Sequence, residues 1–271
     1  MLEYLKYSDK KIHDNLFISE PIMDTSLNSS NQVLVRIPDS KKPITDVILS
    51  FDGQNLFDEK TSHFGSIFNL EKLIQTTEID RNKNILVIAL TSNNQRQTQY
   101  NPYPRQTSEI SSLHLKMIIL DVIPSVLKNF KLDITKTKKH VLGASMGALM
   151  AIKFSIINPE FNNIVCLSPA FWFGFPGIIL DIKNLDKTTF LYLYTGKKEG
   201  HIFSDDVKNI FPKEWELDFS TNDNFYVSGV NLMEKSLIKN NIQYEYLIRD
   251  EGMHNESYWG KVLEKYFKEL L

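Results

Sequence analysis

One serine lies between two glycines at a point where a strand-like segment is followed by a helix-like one. His140–Ala144 is a short apolar run, Met146–Ile157 has helical spacing, and Gly143–Gly147 joins them as G-x-S-x-G. Small residues allow the sharp turn, and the Ser145 hydroxyl then projects at a helix N-terminus, where backbone N–H groups face developing negative charge. The pattern predicts that Ser145 is the nucleophile of an acyl-transfer reaction. The alternative is a glycine-rich helix start with a capping serine.

A serine hydroxyl is a poor nucleophile unless a base takes its proton, and histidine is the commonest base near neutral pH. The chain has six histidines: His13, His63, His114, His140, His201 and His254. His254 follows the last predicted strand and precedes the last predicted helix, so it should lie at the same sheet edge as Ser145. In contrast, His140 lies within a predicted strand and His114 within a predicted helix. We therefore expect His254 to be the general base; the alternative is an exposed histidine in a polar turn.

The base in turn needs a carboxylate that orients the imidazole and stabilises its cation. This carboxylate should follow the strand predicted at Thr189–Thr195. Glu199 has the best position, because only a short glycine turn separates it from that strand. Three rivals remain open: Asp205, Asp206 and Asp250. The other interpretation of Glu199 is a turn charge paired with a neighbouring lysine.

The composition argues against several other classes of function. The 271 residues include 31 Lys and Arg against 33 Asp and Glu, so there is no excess of positive charge to bind nucleic acid or an anionic membrane surface. A single cysteine, Cys166, excludes an internal disulfide and a thiolate metal cluster. We expect no metal and no organic cofactor, and a small-molecule ester as the binding partner.

The sequence also bears on location. Met1–Lys11 lacks the apolar core of a secretory signal, and the apolar stretch Phe171–Leu180 is too short to span a bilayer. These features predict a cytoplasmic protein.

Short β-branched or aromatic runs alternate with segments of helical spacing. The predicted strands are Gln32–Ile37, Thr45–Phe51, Asn84–Leu90, His140–Ala144, Asn163–Leu167, Thr189–Thr195 and Ile242–Ile248. The predicted helices run from Thr107 or Ser108 to Phe130, with an interruption at Pro124, and over Met146–Ile157, Phe225–Lys239 and Ser257–Leu270. This alternation predicts an α/β fold, a mostly parallel sheet with helices on both faces, built as one domain over residues 1–271.

Two aromatic stretches, 171–187 and 201–221, do not fit the alternation. Long loops at the carboxyl edge of an α/β sheet often cover a binding pocket. On that interpretation an apolar, compact substrate pocket is lined by Phe171, Trp172, Phe173 and Trp215. The alternative is that each stretch is a surface helix or turn that packs its own aromatic residues.

With these residues placed, the chain resembles the putative-esterase group of α/β hydrolases, which contains enterochelin-type esterases and, more distantly, mycolyltransferases. The resemblance runs from about residue 45 to the C-terminus. It is carried by six motifs in the family's order: Phe51–Asp58, Arg96–Pro102, the Ser145 elbow, Leu167–Trp172, Gly196–Glu199, and His254–Glu256 followed by Trp259. It implies an α/β-hydrolase fold and a serine esterase.

The resemblance also implies an oxyanion hole. The D-G-Q turn would supply the backbone N–H of Gln54, and the N–H of Met146 would be the second donor; two donors suit the oxyanion of a tetrahedral intermediate. Two residues depart from the family's pattern. Gln99 replaces an acidic residue, which argues against a cation site there, and Ala148 replaces a second glycine after the elbow.

Together these features predict a serine carboxylic-ester hydrolase that acts through an acyl-enzyme on short acyl or lactone esters. Within the same chemistry, a siderophore lactone or a thioester stays open as the substrate. A different class of function is a catalytically silent ligand-binding protein on a hydrolase shell. Such a protein would be expected to lack the nucleophile, the base or the oxyanion turn, and the sequence carries all three.

Overall fold

The computed structural model of the chain describes residues 2–7, 14–24, 27–62, 65–104, 109–202, 207, 211 and 214–271. The strands of its main sheet are β1 (Tyr4–Lys6), β2 (Leu16–Ser19), β5 (Val33–Arg36), β6 (Asp46–Ser50), β7 (Ile85–Leu90), β8 (Lys138–Ala144), β9 (Asn163–Leu167), β10 (Phe190–Lys198) and β11 (Gln243–Met253). A separate two-stranded sheet contains β3 (Ile22–Asp24) and β4 (Ser29–Asn31).

The main sheet is parallel over most of its width. Its order is β1-β2-β5-β7-β6-β8-β9-β10-β11, and every pair from β7 to β11 is parallel, whereas β1, β2 and β5 add antiparallel strands at one side. The central strands β6 and β7 are buried along their whole length, as their position between two helical layers requires. The predicted α/β architecture with a mostly parallel sheet is confirmed.

Helices cover both faces of this sheet. They are α1 (Leu70–Asp80), α2 (Arg96–Gln99), α3 (Ile110–Met117), α4 (Ile123–Phe130), α5 (Met146–Ile157), α6 (Phe171–Gly174), α7 (Gly177–Asp181), α8 (Asn222–Lys239) and α9 (Glu256–Glu269). Ile74 of α1 and Leu263 of α9 belong to one buried cluster. Leu115 of α3, Leu149 of α5 and Val230 of α8 belong to the other, so the sheet separates two hydrophobic cores.

The helical segment before the serine strand is interrupted where Pro124 was predicted to interrupt it. α3 ends at Met117, a π-helical turn covers Ile118–Val122, and α4 resumes with the proline in its first turn. Proline cannot donate to the carbonyl four residues earlier, and its ring crowds that carbonyl, so the helix widens just before it. The predicted start at Thr107 or Ser108 lies outside the described residues.

The same segment is the one membrane-span candidate in the described part of the chain. Ile110–Phe130, 21 residues long, could cross a bilayer by length and composition alone. A core helix of a soluble protein passes the same test, and here Leu115, Ile118 and Val126 are buried in the hydrophobic core.

Two later helices begin slightly earlier than predicted, because a polar side chain caps each of them. α8 begins at Asn222, where Thr221 Oγ1 accepts a hydrogen bond from the N–H of Asn224 at 3.0 Å. α9 begins at Glu256, where Asn255 Oδ1 accepts from the N–H of Tyr258 at 3.2 Å. Such caps satisfy N–H groups that have no partner inside the helix.

Candidate active site

Five adjacent parallel strands present chemically useful residues at one edge of the sheet. Ser145 directly follows β8, Ser168 follows β9, Glu199 follows β10 and His254 follows β11, while Asp52 lies two residues beyond β6. The carboxyl ends of parallel strands meet at a common edge, so residues more than 200 positions apart in the chain become neighbours.

Ser145 occupies a strained elbow between β8 and α5. Its backbone has φ 57° and ψ -121°, a conformation that costs an L-residue roughly 1–3 kcal/mol. The sheet holds this geometry, because the Ser145 N–H donates to the carbonyl of Leu167 at 2.9 Å. A Cβ on Gly143 would lie 2.0 Å from the carbonyl oxygen of Gly147, so the first glycine of the motif is sterically required.

Glu199 and His254 are brought together by the pairing of β10 with β11. Lys198 and Met253 are partners in the ladder, and the two functional residues follow them directly. His254 Nδ1 lies 2.9 Å from Glu199 Oε2. A carboxylate only accepts hydrogen bonds, so Nδ1 carries the proton, and the neutral ring then has an unprotonated Nε2.

Further hydrogen bonds hold the Glu199 carboxylate in place, and the residue is fully buried. Its Oε1 accepts from the Gly196 N–H at 2.6 Å and from Ser168 Oγ at 2.7 Å. Ser168 Oγ in turn accepts from Trp259 Nε1 at 2.8 Å. The indole ring of Trp259 also lies edge-on to the His254 ring, 4.9 Å between centroids. This network limits the rotation of the Glu199 and His254 side chains.

Sequence reasoning did not assign a role to Ser168, Trp259 or Tyr226. The Tyr226 hydroxyl donates to the carbonyl of Ser168 at 2.6 Å and lies 3.5 Å from His254 Nδ1. Burial raises the pKa of the Tyr226 phenol well above its ordinary value, so it stays a neutral hydrogen-bond donor. Ser168 and Trp259 belong to two of the family motifs given above, and this was the one sequence signal for them. Tyr226 belongs to no such motif.

The three alternatives to Glu199 as the orienting acid differ in where they lie in the chain and the structure. Asp250 lies on the surface, where its side chain is 80% exposed and pairs with Lys197 at 2.7 Å. Asp205 and Asp206 lie outside the described residues.

The other histidines have different positions from His254. His140 is buried at the opposite end of the strands, between Asp46 and Tyr266. His114 is buried beside Tyr100. His201 is exposed near the candidate site, while His13 and His63 lie outside the described part of the chain.

The two expected oxyanion donors lie on adjoining segments. Met146 is the first residue of α5, so its N–H has no acceptor within the helix. Gln54 lies in a 3₁₀ turn, Gly53–Asn55, and its side-chain amide exchanges two hydrogen bonds with Ser92, at 2.8 and 2.9 Å. A Cβ on Gly147 would lie 3.0 Å from Asp52 Oδ2, which shows how closely the elbow and this turn approach.

An ion pair between the buried Asp52 and the partly exposed Arg96 supports the turn. Arg96 donates from Nε and Nη2 to the two carboxylate oxygens of Asp52, each at 2.7 Å. Burial alone would raise the pKa of Asp52, but the guanidinium holds it below its ordinary value. Gln99, which departs from the family pattern, is fully buried and exchanges amide hydrogen bonds with Asn31 at 2.8 and 3.1 Å. A neutral pair therefore occupies the position expected for an acid.

The aromatic stretches separate into two groups. Phe171 is fully buried in the core, whereas Trp172 and Phe173 are partly exposed. Trp172 lies against Tyr226, 5.3 Å between centroids, and so borders the His254 site. Trp215 instead packs on Phe175 and lines a separate groove with α7 and α8. Much of the second stretch, 203–206, 208–210 and 212–213, lies outside the described residues.

A cavity of about 730 Å³ adjoins the base. It is lined by Ser66, His201, Ile202, His254, Asn255, Ser257 and Tyr258. Among the described residues, no group of three or more His, Cys, Asp or Glu side chains is arranged to hold a metal ion.

Comparison with solved structures shows which fold this is. The siderophore hydrolase EstA from Aspergillus nidulans superposes with a TM-score of 0.69 at 15% identity, covering 99% of each chain. The S-formylglutathione hydrolase from Agrobacterium tumefaciens gives 0.58 at 10% identity, covering 94% of each chain. The enterobactin esterase FES from Shigella flexneri gives 0.61 at 13% identity, covering 94% of this chain and 60% of that one. The fold is that of the α/β hydrolases.

Sequence comparison gives the family. No curated protein sequence matches the chain. The family model described as "Putative esterase" matches residues 25–270, nearly the whole length. The chain therefore belongs to this esterase family.

Proposed function

We propose that this esterase is a serine carboxylic-ester hydrolase in which Ser145 is the nucleophile, His254 the general base and then acid, and Glu199 the orienting acid. The observation that carries the proposal is the Glu199–His254 pair, 2.9 Å apart, at the same sheet edge as a serine with φ 57° between a strand and a helix. This combination is what activation of a serine requires.

In the first half-reaction, His254 Nε2 takes the proton of the Ser145 hydroxyl while Oγ forms a bond to the carbonyl carbon of the ester. The carbonyl π electrons move to the oxygen, and the N–H groups of Gln54 and Met146 stabilise the resulting negative charge. When the tetrahedral intermediate collapses, the bond to the alcohol oxygen breaks. That oxygen takes the proton from His254 and leaves as the alcohol.

Water completes the cycle. His254 takes one proton from a water molecule, whose oxygen attacks the acyl-enzyme; collapse then breaks the bond to Ser145 Oγ, which recovers its proton from the imidazole. One ester and one water give one carboxylic acid and one alcohol, with no further reactant. Throughout, Glu199 keeps the ring in one tautomer and stabilises the imidazolium that forms twice per cycle.

The proposal is tested with nitrophenyl esters of graded acyl length. Ser145→Ala and His254→Ala should each lower kcat by about 10⁴-fold or more, because nucleophile and base act as a unit. Ser155→Ala is the matched control, since this buried serine on α5 bonds the carbonyl of Phe161 away from the site. Retention of wild-type kcat in folded Ser145→Ala would exclude the proposal.

A siderophore ester is the second candidate substrate. The end-to-end superposition on the siderophore hydrolase EstA and the space of about 730 Å³ beside His254 support this candidate. A cyclic trilactone siderophore, a short nitrophenyl ester and an S-acyl thioester, compared by kcat/KM, distinguish the three classes. If the trilactone ranks last, this candidate is excluded. The cytoplasmic location and the absence of nucleic-acid or membrane partners stay predictions from the sequence.

A further inference from the structure

Glu256 is a buried carboxylate that the proposed reaction does not use. It is the first residue of α9, two positions after His254, and only 1% of its surface is exposed. Buried carboxylates are rare unless they are hydrogen-bonded or paired. Burial raises the pKa of this carboxyl above its ordinary value. The hydrogen-bond partners of the Glu256 carboxylate therefore indicate which part of the site it holds in place.

Its partners lie on the segment that carries the oxyanion turn. Glu256 Oε1 accepts from Asn55 Nδ2 at 3.1 Å, and Oε2 accepts from Ser66 Oγ at 3.2 Å. Asn55 directly follows Gln54 and is the last residue of the 3₁₀ turn. The contact thus joins positions 201 residues apart in the chain, one beside the base and one beside an oxyanion donor.

The first turn of α9 also contacts the other half of the site. Trp259, one turn after Glu256, donates to Ser168 Oγ at 2.8 Å, and Ser168 donates to Glu199. The first turn of α9 therefore contacts the acid network through Trp259 and the oxyanion turn through Glu256. The base and the N–H of Gln54 must act on the same tetrahedral intermediate, so a displacement of about 1 Å between them would be costly.

We infer that Glu256 is a positioning residue: its carboxylate ties the oxyanion turn, through Asn55, to the segment that carries His254. This inference rests on the proposed function and adds to it, since the side-chain hydrogen bonds of Glu256 go to Asn55 and Ser66 rather than to Ser145 or His254. Other bonds, such as Arg96 to Asp52, hold the turn to its own side of the sheet. Glu256 provides a direct side-chain hydrogen bond between the turn and the segment that carries the base.

Steady-state kinetics with a nitrophenyl ester test this role. Glu256→Ala should lower kcat by about 10- to 100-fold and change KM less than about threefold, because a displaced donor weakens the transition state more than the ground state. The rate of fluorophosphonate labelling at Ser145 should fall in parallel. Glu256→Gln should recover activity to within about threefold of wild type, since its amide oxygen can accept from Asn55 and its NH₂ can donate to Ser66.

Asn55→Ala removes the same hydrogen bond from the other side, and it carries the test if Glu256→Ala does not fold. The double variant should be no slower than either single variant, because both remove one interaction. Glu71→Ala is the matched control: Glu71 lies in the first turn of α1, is buried, and pairs with Arg36 far from the site. It should lower the Tm without lowering kcat.

Two results would overturn the inference: wild-type kcat in folded Glu256→Ala or Asn55→Ala, or losses that multiply in the double variant. These are distinguishable from failure of the proposed function, which would appear as full activity in Ser145→Ala. If Ser145→Ala is inactive and Glu256→Ala is as active as wild type, only the positioning role is lost.

Discussion

Substitution of Glu199 by glutamine is a sharp test of the site, because the structure fixes how the new amide must lie. The carboxylate oxygen Oε1 receives hydrogen bonds from the Gly196 N–H at 2.6 Å and Ser168 Oγ at 2.7 Å. A backbone N–H cannot accept, so the amide oxygen of glutamine must stay at that position. The NH₂ group is then directed at His254 Nδ1.

This orientation reverses the histidine tautomer. Nδ1 must accept from the NH₂ group, so the proton moves to Nε2, which can no longer take a proton from Ser145. For the aspartate of a serine-protease triad, the same carboxylate-to-amide change lowers kcat by about 10⁴-fold, which corresponds to roughly 5 kcal/mol of transition-state stabilisation. We expect a loss of that order for Glu199→Gln, with KM little changed.

The assay is hydrolysis of a nitrophenyl ester by purified variants whose Tm shows that they are folded. Asp250→Asn is the matched control and should retain nearly full activity, because Asp250 is exposed and paired with Lys197. Asp205→Asn and Asp206→Asn test the two rivals outside the described residues. A loss of less than about tenfold in folded Glu199→Gln, or a larger loss in either of those two variants, would refute the reasoning.

Four further predictions concern single positions. Fluorophosphonate should label Ser145, as detected by peptide mass spectrometry. Labelling of Ser168 instead would exclude Ser145 as the nucleophile. Gly143→Ala should lower the Tm strongly, since its Cβ would lie 2.0 Å from a carbonyl oxygen; an unchanged Tm would contradict the elbow geometry. Burial lowers the pKa of His114 to about 4, below the value of about 6.5 in the unfolded chain. The free energy of unfolding should therefore be at its highest above pH 6.5, as far as this group is concerned, and should decrease as the pH drops toward 4. The Tm of folded His114→Phe should depend less on pH over this range, and an unchanged pH dependence would contradict the assignment. Trp172→Ala should shift the acyl-length preference toward longer chains, each methylene contributing up to about 0.8 kcal/mol, and an unchanged profile would remove that residue from the pocket.

The parts of the site that depend on local sequence could be predicted. The elbow is one such part, because a strand, a sharp turn and a helix are all specified within 12 or so consecutive residues around Ser145. The position of His254 also follows from local order, since a strand precedes it and a helix begins just after it. The mostly parallel sheet was predicted for the same reason, from the alternation of buried runs such as β7 with helical segments.

The sequence favoured Glu199 over Asp250 but left Asp250 open, because the positions of the two carboxylates relative to His254 depend on strand register. Gly196 pairs with Arg249, yet Lys198 pairs with Met253, so β11 contains two extra residues in this interval. This irregularity leaves Asp250 on the surface and brings His254 level with Glu199. A bulge of this kind depends on close packing between two distant segments: a Cβ on Gly252 would lie 2.5 Å from the Cα of Gly196.

The four short strands near the N-terminus were missed for a different reason. β1 to β4 are only three or four residues long, and most of their residues are not fully buried. Alternation cannot be recognised over so few positions. β1 and β2 form because the main sheet offers them an edge, whereas β3 and β4 pair only with each other in the described structure. The burial of Phe171 could not be predicted either. It depends on contacts with α8 residues such as Phe225 and Tyr226, which lie more than 50 positions away in the sequence.

Three residues with a strained backbone at the site share one structural feature. Asp52, Ser145 and Ser168 all have positive φ, at 56°, 57° and 44°, and they follow three adjacent parallel strands. Two of them keep their N–H in the sheet: Ser145 donates to Leu167 at 2.9 Å and Ser168 donates to the carbonyl of Tyr194 at 2.8 Å. The ladder thus extends one residue past each strand, and the chain turns only after that bond is made. Because the sheet rather than a free loop holds the turns at Ser145 and Ser168, the Ser145 elbow and the N–H of Met146 that follows it are positioned before substrate binds. Fixed N–H donors stabilise developing charge most effectively under this condition.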